Sequence, residues 1–211
     1  MKLKSLLALF AAALTLGYTA LANAQTPQLG IDYTVYSPVQ PTDAGNKIEV
    51  TEFFAYTCSH CADFEPLLAP WVKKLSKDVS FRRVPVIFRP QFVPAAKIYY
   101  TLEAMNLLDK LHAAVFDAIH KEHADLLDEK ALFAWVASKG VDAKQFAEIY
   151  NSFAINSKVE RANQITRAHA IPGTPALVVN GKYLIASLDH DRQLKVADFL
   201  IAKIRAEKKK K

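Results

Sequence analysis

Both cysteines of this 211-residue chain lie in one tetrapeptide, Cys58-Ser59-His60-Cys61. Two cysteines separated by two residues at the start of a helix are close enough to form and break one disulfide. Because the chain has no other cysteine, its own sulfur chemistry must occur between these two thiols or with thiols of a partner. The tetrapeptide therefore predicts thiol–disulfide exchange, in which a thiolate attacks a sulfur atom of a disulfide.

The two thiols are expected to differ in reactivity. Cys58 is predicted to lie at the first turn of a helix, where unpaired backbone N–H groups and the positive end of the helix dipole favour an anion. Such a position lowers the pKa of a thiol. Cys61, one turn further along, is expected to be more buried and less reactive. His60 would stabilise the Cys58 thiolate if it is cationic or donates a hydrogen bond; alternatively, it is a polar helix residue that faces water.

A metal site and a structural disulfide are both weaker interpretations of the cysteine pair. A zinc site needs two further ligands, and the chain has no second cysteine pair. His112, His120 and His123 share a predicted helix face, but surface or core histidines are the simpler interpretation, so we expect no metal. A purely structural disulfide is also disfavoured, because closing a four-residue loop gives little entropic stabilisation.

The first 24 residues resemble an export signal. Lys2 and Lys4 follow the initiating methionine, residues 6–16 are almost wholly apolar, and Ala22-Asn23-Ala24 supplies a small-x-small cleavage pattern. We therefore predict a signal peptide at residues 1–24, with an uncleaved membrane anchor as the alternative. Export would place the cysteine pair in a compartment where disulfides persist.

The charge of the chain gives little indication of a charged partner. The net charge is +6, and it falls to +4 once Lys2 and Lys4 are removed. Part of the remainder lies in the terminal run Lys208–Lys211, which is expected to be a solvated end. Basic and aromatic residues are not interleaved, so we expect no nucleic-acid binding. We also expect a monomer.

The elements that must position the cysteines form an α/β pattern. Apolar and β-branched residues predict buried strands, and apolar residues at helical spacing predict helices. Asn180-Gly181 is a strong signal for a two-residue hairpin. The predicted order is strand 47–56, a helix that begins around the cysteine pair, strand 79–88, a helical region 94–170, strand 174–179, strand 183–186 and helix 194–204.

The long helical region interrupts this α/β pattern like an insertion. It is expected to contain four or five helices, with breaks near Asn106, Asp125, Gly140 and Ser157. The segment 26–45, which contains three prolines, is expected to be an extended lead-in to the first strand.

These features together resemble a known family. The chain is similar to DsbA-type periplasmic thiol:disulfide oxidoreductases of the thioredoxin superfamily, and the resemblance covers essentially the whole mature sequence. It rests on Glu52-Phe53-Phe54 six residues ahead of Cys58, the C-x-H-C pair, and Thr174-Pro175 before Asn180-Gly181-Lys182-Tyr183. The resemblance implies a thioredoxin fold formed by residues 25–91 and 169–211, with an inserted all-helical domain at 92–168.

The resemblance also implies roles for residues outside the cysteine pair. Glu52 would be a buried acid that helps to move the proton of Cys61; a carboxylate within an apolar strand is costly unless paired or protonated. Strand-end exposure is the alternative. Arg83 is a candidate partner of Glu52, and an exposed strand arginine is the other interpretation. Pro175 would be cis and face the cysteines, leaving the backbone of Thr174 free to pair with an extended substrate.

The expected function is donation of the Cys58–Cys61 disulfide to newly exported, reduced or unfolded proteins in the periplasm. No cofactor besides this disulfide is expected, and the resemblance implies a DsbB-like membrane quinone reductase for reoxidation. Two residues depart from the common family pattern, Ser59 in place of proline and Thr174 in place of valine. They leave a disulfide isomerase or reductase of the same fold open, and a chaperone-like binding module is the alternative from a different class.

Overall fold

A mixed five-stranded sheet forms the centre of the protein. The structure, a computed structural model, describes residues 26–209, and the predicted signal peptide lies outside the described residues. The sheet has the order β1-β5-β4-β2-β3, in which β2 and β3 are parallel and the other neighbours are antiparallel. The strands are β1 (Thr34–Val35), β2 (Ile48–Phe54), β3 (Val79–Pro85), β4 (Ala176–Val179) and β5 (Tyr183–Ala186).

Seven α-helices accompany the sheet within the described residues. Five of them follow one another between β3 and β4, in agreement with the four or five helices that the sequence predicts there. The predicted thioredoxin fold is confirmed. The domain boundaries at residues 92 and 168 stay a prediction. The helices are α1 (Ser59–Lys73), α2 (Val93–Ala104), α3 (Leu108–His120), α4 (Glu129–Ser138), α5 (Ala143–Tyr150), α6 (Phe153–Ala168) and α7 (His190–Lys208).

Three of the four predicted helix breaks agree with the structure. Asn106 and Gly140 adopt positive φ angles of 55° and 76° between helices, and Asp125 lies between α3 and α4. The break predicted near Ser157 is wrong, because α6 continues through that exposed residue. The helix begins instead after Ser152, whose hydroxyl accepts a hydrogen bond from the backbone N–H of Ile155 at 3.3 Å and caps the first turn.

The lead-in is partly a strand rather than only extended chain. Its short strand β1 pairs with β5, and the Gln40 N–H donates to the Gly181 carbonyl at 2.8 Å. Asn180 and Gly181 have φ angles of 53° and 61°, as a two-residue hairpin turn between β4 and β5 requires. A Cβ atom at Gly181 would overlap the carbonyl oxygen of Gln40. Only glycine therefore fits where the lead-in crosses the hairpin.

Apolar packing fixes α1 above the end of β2. Phe64 and Leu68 of α1 are fully buried in a cluster with Ile48 and Val50 of β2 and with residues of α7. Alternation along a strand directs Glu52 to the same face as Val50. A second buried cluster joins the far end of β2 to the helices between β3 and β4. The segment between β2 and α1, which contains Cys58, is consequently held between the two buried clusters.

The C-terminal helix is longer than predicted at both ends. Asp189 caps α7 by accepting a hydrogen bond from the Arg192 N–H at 2.8 Å. At the other end Lys208, an exposed residue, belongs to α7, and its Nζ donates to the carbonyl of Asn46 at 2.8 Å. Between residues 26 and 209, no helix is both long and apolar enough to cross a membrane.

Candidate active site

The turn between β2 and α1 places Cys58 at the start of the helix. Cys58 is the N-cap residue of α1, with extended backbone angles (φ −94°, ψ 117°), and its N–H donates to the Ala55 carbonyl at 3.0 Å. Its carbonyl accepts from the N–H groups of Cys61 and Ala62, both at 3.1 Å. Both cysteines are free thiols, so the geometry is that of the reduced protein.

The surroundings of Cys58 favour its thiolate. A hydrogen bond from the Cys61 thiol is the largest of several effects that together lower the pKa of Cys58 to about 5. The Thr174 side chain and the backbone N–H groups of Cys61 and His60 act in the same direction, against the opposing effect of burial. Cys58 is consequently ionised at neutral pH in the reduced protein.

Cys61 has the opposite character. Its side chain is only 1% exposed. The hydrogen bond that it donates to Cys58 and its burial both raise its pKa far above the usual range for a thiol. The pair therefore consists of a half-buried, acidic sulfur and a buried sulfur that keeps its proton.

The loop before β4 lies against Cys58. The Thr174–Pro175 peptide bond is cis, and the Cys58 sulfur lies 3.4 Å from the Thr174 carbonyl oxygen, which accepts the S–H when Cys58 is protonated. Thr174 and Pro175 also line a groove of about 220 Å³ with His60 and the residues that follow β5. The structure thus brings together both cysteines, Thr174 and Pro175.

Of the two interpretations of His60, the exposed side chain agrees with a polar helix residue that faces water. Its side chain is exposed and lines the groove beside Pro175, whereas its backbone N–H is what acts on the Cys58 thiolate. Within the described residues, no hydrogen bond joins its imidazole to Cys58. The helix direction accounts for this arrangement, because a side chain two residues after the N-cap projects outward while its N–H points back towards the cap.

Glu52 is buried in β2 and is paired with Arg83. The parallel register of β2 and β3 places the two residues side by side, and Arg83 Nε donates to Glu52 Oε2 at 2.7 Å. Burial raises the pKa of Glu52 to about 7 despite the arginine, since only 2% of the residue is exposed. The charge of Glu52 in turn contributes to the raised pKa of Cys61.

A second buried carboxylate, Glu65, shares the same arginine. The Nη2 atom of Arg83 donates to Glu65 Oε1 and Oε2 at 3.1 and 2.8 Å, and His112 Nε2 lies 3.5 Å from Oε2. Burial acts to raise the pKa of Glu65, but His112 and Arg83 together hold it below its usual value. Sequence reasoning missed Glu65, although it follows Cys61 by four residues and so shares its helix face.

No metal centre is evident in the part of the chain that the structure describes. Groups of three or more histidine, cysteine or acidic side chains arranged to hold a metal ion are absent from residues 26–209. His112 is a core histidine, one of the two simpler interpretations of the histidines on this helix, since its side chain is buried.

The fold and this dithiol define a thioredoxin-fold thiol:disulfide oxidoreductase. The profile of the DSBA-like thioredoxin domain matches residues 68–200, and the chain belongs to this family. It is 42% identical over 201 residues to the thiol:disulfide interchange protein DsbA of Bordetella parapertussis, covering 93% of this chain and 96% of the relative. Identity to the DsbA of Pseudomonas aeruginosa is 40% over 208 residues, covering 97% and 98%. These alignments extend over the cysteine pair, which precedes the profile match.

Solved structures agree with this assignment. The crystal structure of Pseudomonas aeruginosa DsbA superposes with a TM-score of 0.84 at 40% identity, covering 88% of this chain and 98% of that one. The oxidoreductase DsbA from Xylella fastidiosa gives a TM-score of 0.81 at 31% identity, covering 86% and 100%. Proteins of this family use a redox-active disulfide.

Proposed function

We propose that this chain acts in the periplasm as a monomer that donates the Cys58–Cys61 disulfide to reduced or unfolded exported proteins. Its reoxidation is assigned to a DsbB-like membrane quinone reductase. The predicted signal peptide and the name of the relatives, thiol:disulfide interchange protein, support this role. The pair also contains the only two cysteines in the chain.

The observation that carries the proposal is the low pKa of Cys58, about 5. Each unit by which a thiol pKa lies below the ambient pH stabilises the reduced form by about 1.4 kcal/mol, or about 30 mV for a two-electron couple. At pH 7 this gives up to about 50 mV towards a more oxidising couple, compared with a thiol whose pKa is near 7 and which is half ionised at that pH. The figure is an upper limit, because Cys58 is partly exposed and solvent screens its interactions.

The first exchange step forms a mixed disulfide. A substrate thiolate attacks Sγ of Cys58, the more accessible sulfur, and the bonding pair of the broken disulfide leaves on Cys61. Because Cys61 is buried, which acts to raise its pKa, the new thiolate takes up a proton. Glu52 is the proposed donor, since its pKa of about 7 leaves it half protonated at neutral pH.

The second exchange step releases the product. A second thiolate of the substrate attacks the substrate sulfur of the mixed disulfide, and Cys58 leaves as a thiolate. The substrate has then lost two electrons and the protein has gained them as the Cys58–Cys61 dithiol. A sulfur with a low pKa is a good leaving group, so the stabilisation of Cys58 also accelerates this step.

The groove beside Thr174 and Pro175 is the proposed substrate site. The Thr174 carbonyl oxygen lies 3.4 Å from the Cys58 sulfur. In the disulfide form Cys58 carries no S–H, so this carbonyl is free to accept an N–H from an extended substrate, as in strand addition. Such main-chain pairing does not depend on the side chains of the substrate, which suits an enzyme with many substrates.

The decisive experiment is the redox equilibrium of the purified mature protein against glutathione buffers. A couple far more oxidising than that of a thioredoxin supports a disulfide donor. A reducing couple would refute the donor role and favour a reductant that needs its own supply of electrons. The Cys58→Ser variant distinguishes an exchange enzyme from a chaperone-like binding module, because the module would keep its activity and the enzyme would lose it.

A further inference from the structure

Helix α3 presents a row of three side chains towards the segment that precedes the cysteines. His112, Phe116 and His120 are spaced by four residues and therefore share one helix face. Facing them is Tyr56, two residues before Cys58 and only 1% exposed. The rings of His112 and Phe116 lie 5.2 and 5.0 Å from the ring of Tyr56, centroid to centroid.

His120 binds the main chain of Tyr56. Its Nε2 lies 2.7 Å from the Tyr56 carbonyl oxygen. A carbonyl oxygen can only accept, so Nε2 carries the hydrogen and donates it. The ring of His120 stacks on Phe116 with an interplanar angle of 29°, which fixes its orientation.

His112 binds the side chain of the same residue. The Tyr56 hydroxyl lies 2.7 Å from His112 Nδ1, and the Tyr56 ring packs against the rings of Phe54 and Phe116. We assign the hydroxyl hydrogen to this bond, because the ring hydrogen of His112 is then on Nε2, the nitrogen nearer the Glu65 carboxylate. That nitrogen lies 3.5 Å from Glu65, the carboxylate that shares Arg83 with Glu52.

We propose that His112 and His120 are positioning residues, which clamp Tyr56 and thereby fix the turn that sets Cys58 at the start of α1. That turn is closed by the Cys58 N–H bond to the Ala55 carbonyl, so Tyr56 lies inside it. The inference rests on the proposed function, because it concerns the redox couple of Cys58 and Cys61. It gives the helices between β3 and β4 a direct connection to the chemistry of the dithiol.

The His120 contact offers the cleaner test, because this side chain is only half-buried and its loss leaves no large cavity. In His120→Ala the turn loosens, and the backbone N–H groups that act on the Cys58 thiolate lose their fixed distance. We expect the pKa of Cys58, followed by thiolate absorbance at 240 nm, to rise by about half a unit. The equilibrium constant with glutathione at pH 7 then shifts about threefold towards a less oxidising couple.

Two further variants provide rescue and control. His120→Gln retains an N–H donor that can reach the Tyr56 carbonyl, and it is expected to restore both values. His123→Asn changes an exposed histidine just beyond α3, at a φ of 55° that asparagine tolerates. This control is expected to leave the thiolate titration and the glutathione equilibrium unchanged.

The His112 contact is tested from both of its ends. Tyr56→Phe removes the hydroxyl without altering α3, and His112→Asn keeps an acceptor close to the position of Nδ1. We expect Tyr56→Phe to raise the pKa of Cys58 and His112→Asn to do so less. His112→Phe removes the same hydrogen bond from the other side. In the double variant Tyr56→Phe/His112→Phe, the rise in the pKa of Cys58 is therefore expected to be smaller than the sum of the rises in the two single variants.

The outcomes separate this inference from the function on which it rests. If the wild-type couple is not oxidising, the proposed function fails. If the wild type is oxidising and the variants lose only stability against denaturant, with the pKa of Cys58 and the glutathione equilibrium unchanged, the two histidines are merely structural and the inference is overturned. Shifts in His120→Ala that His120→Gln reverses support it.

Discussion

Replacing Glu52 with glutamine is expected to stabilise the reduced protein at neutral and alkaline pH. Burial raises the pKa of Glu52 from 4.5 to about 7. A carboxyl whose pKa is raised on folding contributes no penalty below its unfolded pKa, and it costs progressively more stability as the pH rises through the window from 4.5 to about 7. Glutamine has the same shape and no charge, and its amide oxygen can still accept from Arg83.

The magnitude follows from the two pKa values. With 1.36 kcal/mol for each pKa unit, the penalty is about 3 kcal/mol at pH 7 and close to its maximum of about 3.4 kcal/mol by pH 8.5. The free energy of unfolding of the Glu52→Gln variant should therefore exceed that of the wild type by up to this amount at pH 7. The difference should disappear near pH 4.

Denaturant unfolding of both proteins under reducing conditions at pH 4, 7 and 8.5 measures this difference. Arg83 keeps its contacts with Glu65 in both proteins, so the comparison isolates Glu52. A variant that is less stable at every pH would show that the ion pair with Arg83 outweighs the desolvation of Glu52. A gain that does not vary with pH would show that the pKa of Glu52 is not raised.

Two further substitutions test the site and the fold. Cys61→Ala removes the hydrogen bond that has the largest effect on the pKa of Cys58. In a thiolate absorbance titration this pKa should rise above about 5 yet stay below about 8.5, because the backbone N–H groups remain. An unchanged pKa would contradict the conclusion that the Cys61 thiol stabilises the Cys58 thiolate. Gly181→Ala should cost more stability in denaturant unfolding than Gly140→Ala. Both glycines have positive φ, but only at Gly181 would the Cβ meet the Gln40 carbonyl, so equal costs would refute the steric argument.

Features encoded in short stretches of sequence were predictable. The cysteine spacing and the helix that follows it placed Cys58 at a helix start, where the structure has it as the N-cap. Glu52 stood out as a charge within an apolar strand, and it is buried beside Arg83, which the sequence left as one of two interpretations of that arginine. The Asn180-Gly181 turn needs only two residues with positive φ, which its sequence indicates directly.

Features created by tertiary packing could not be predicted in this way. Strand β1 has two residues, too few for an alternating pattern, and it exists because β5 offers a partner. Glu65 and His112 lie on different helices, and Glu65 contacts both His112 and Arg83 only after these helices pack against the sheet. The direction in which the His60 side chain points is set by how α1 packs against the sheet, and the spacing of the cysteines does not specify that packing.

The sharing of one arginine by two buried carboxylates determines which of them holds a proton. With Glu52 and Glu65 both ionised, the two carboxylates and Arg83 carry a net charge of −1 in a buried site, and the charge of Glu65 is one of the effects that raise the pKa of Glu52. Glu52 is therefore the carboxyl that is half protonated near pH 7, whereas Glu65, whose pKa is held below its usual value, stays ionised. The cluster thus stores one exchangeable proton on the carboxyl whose charge also acts on Cys61.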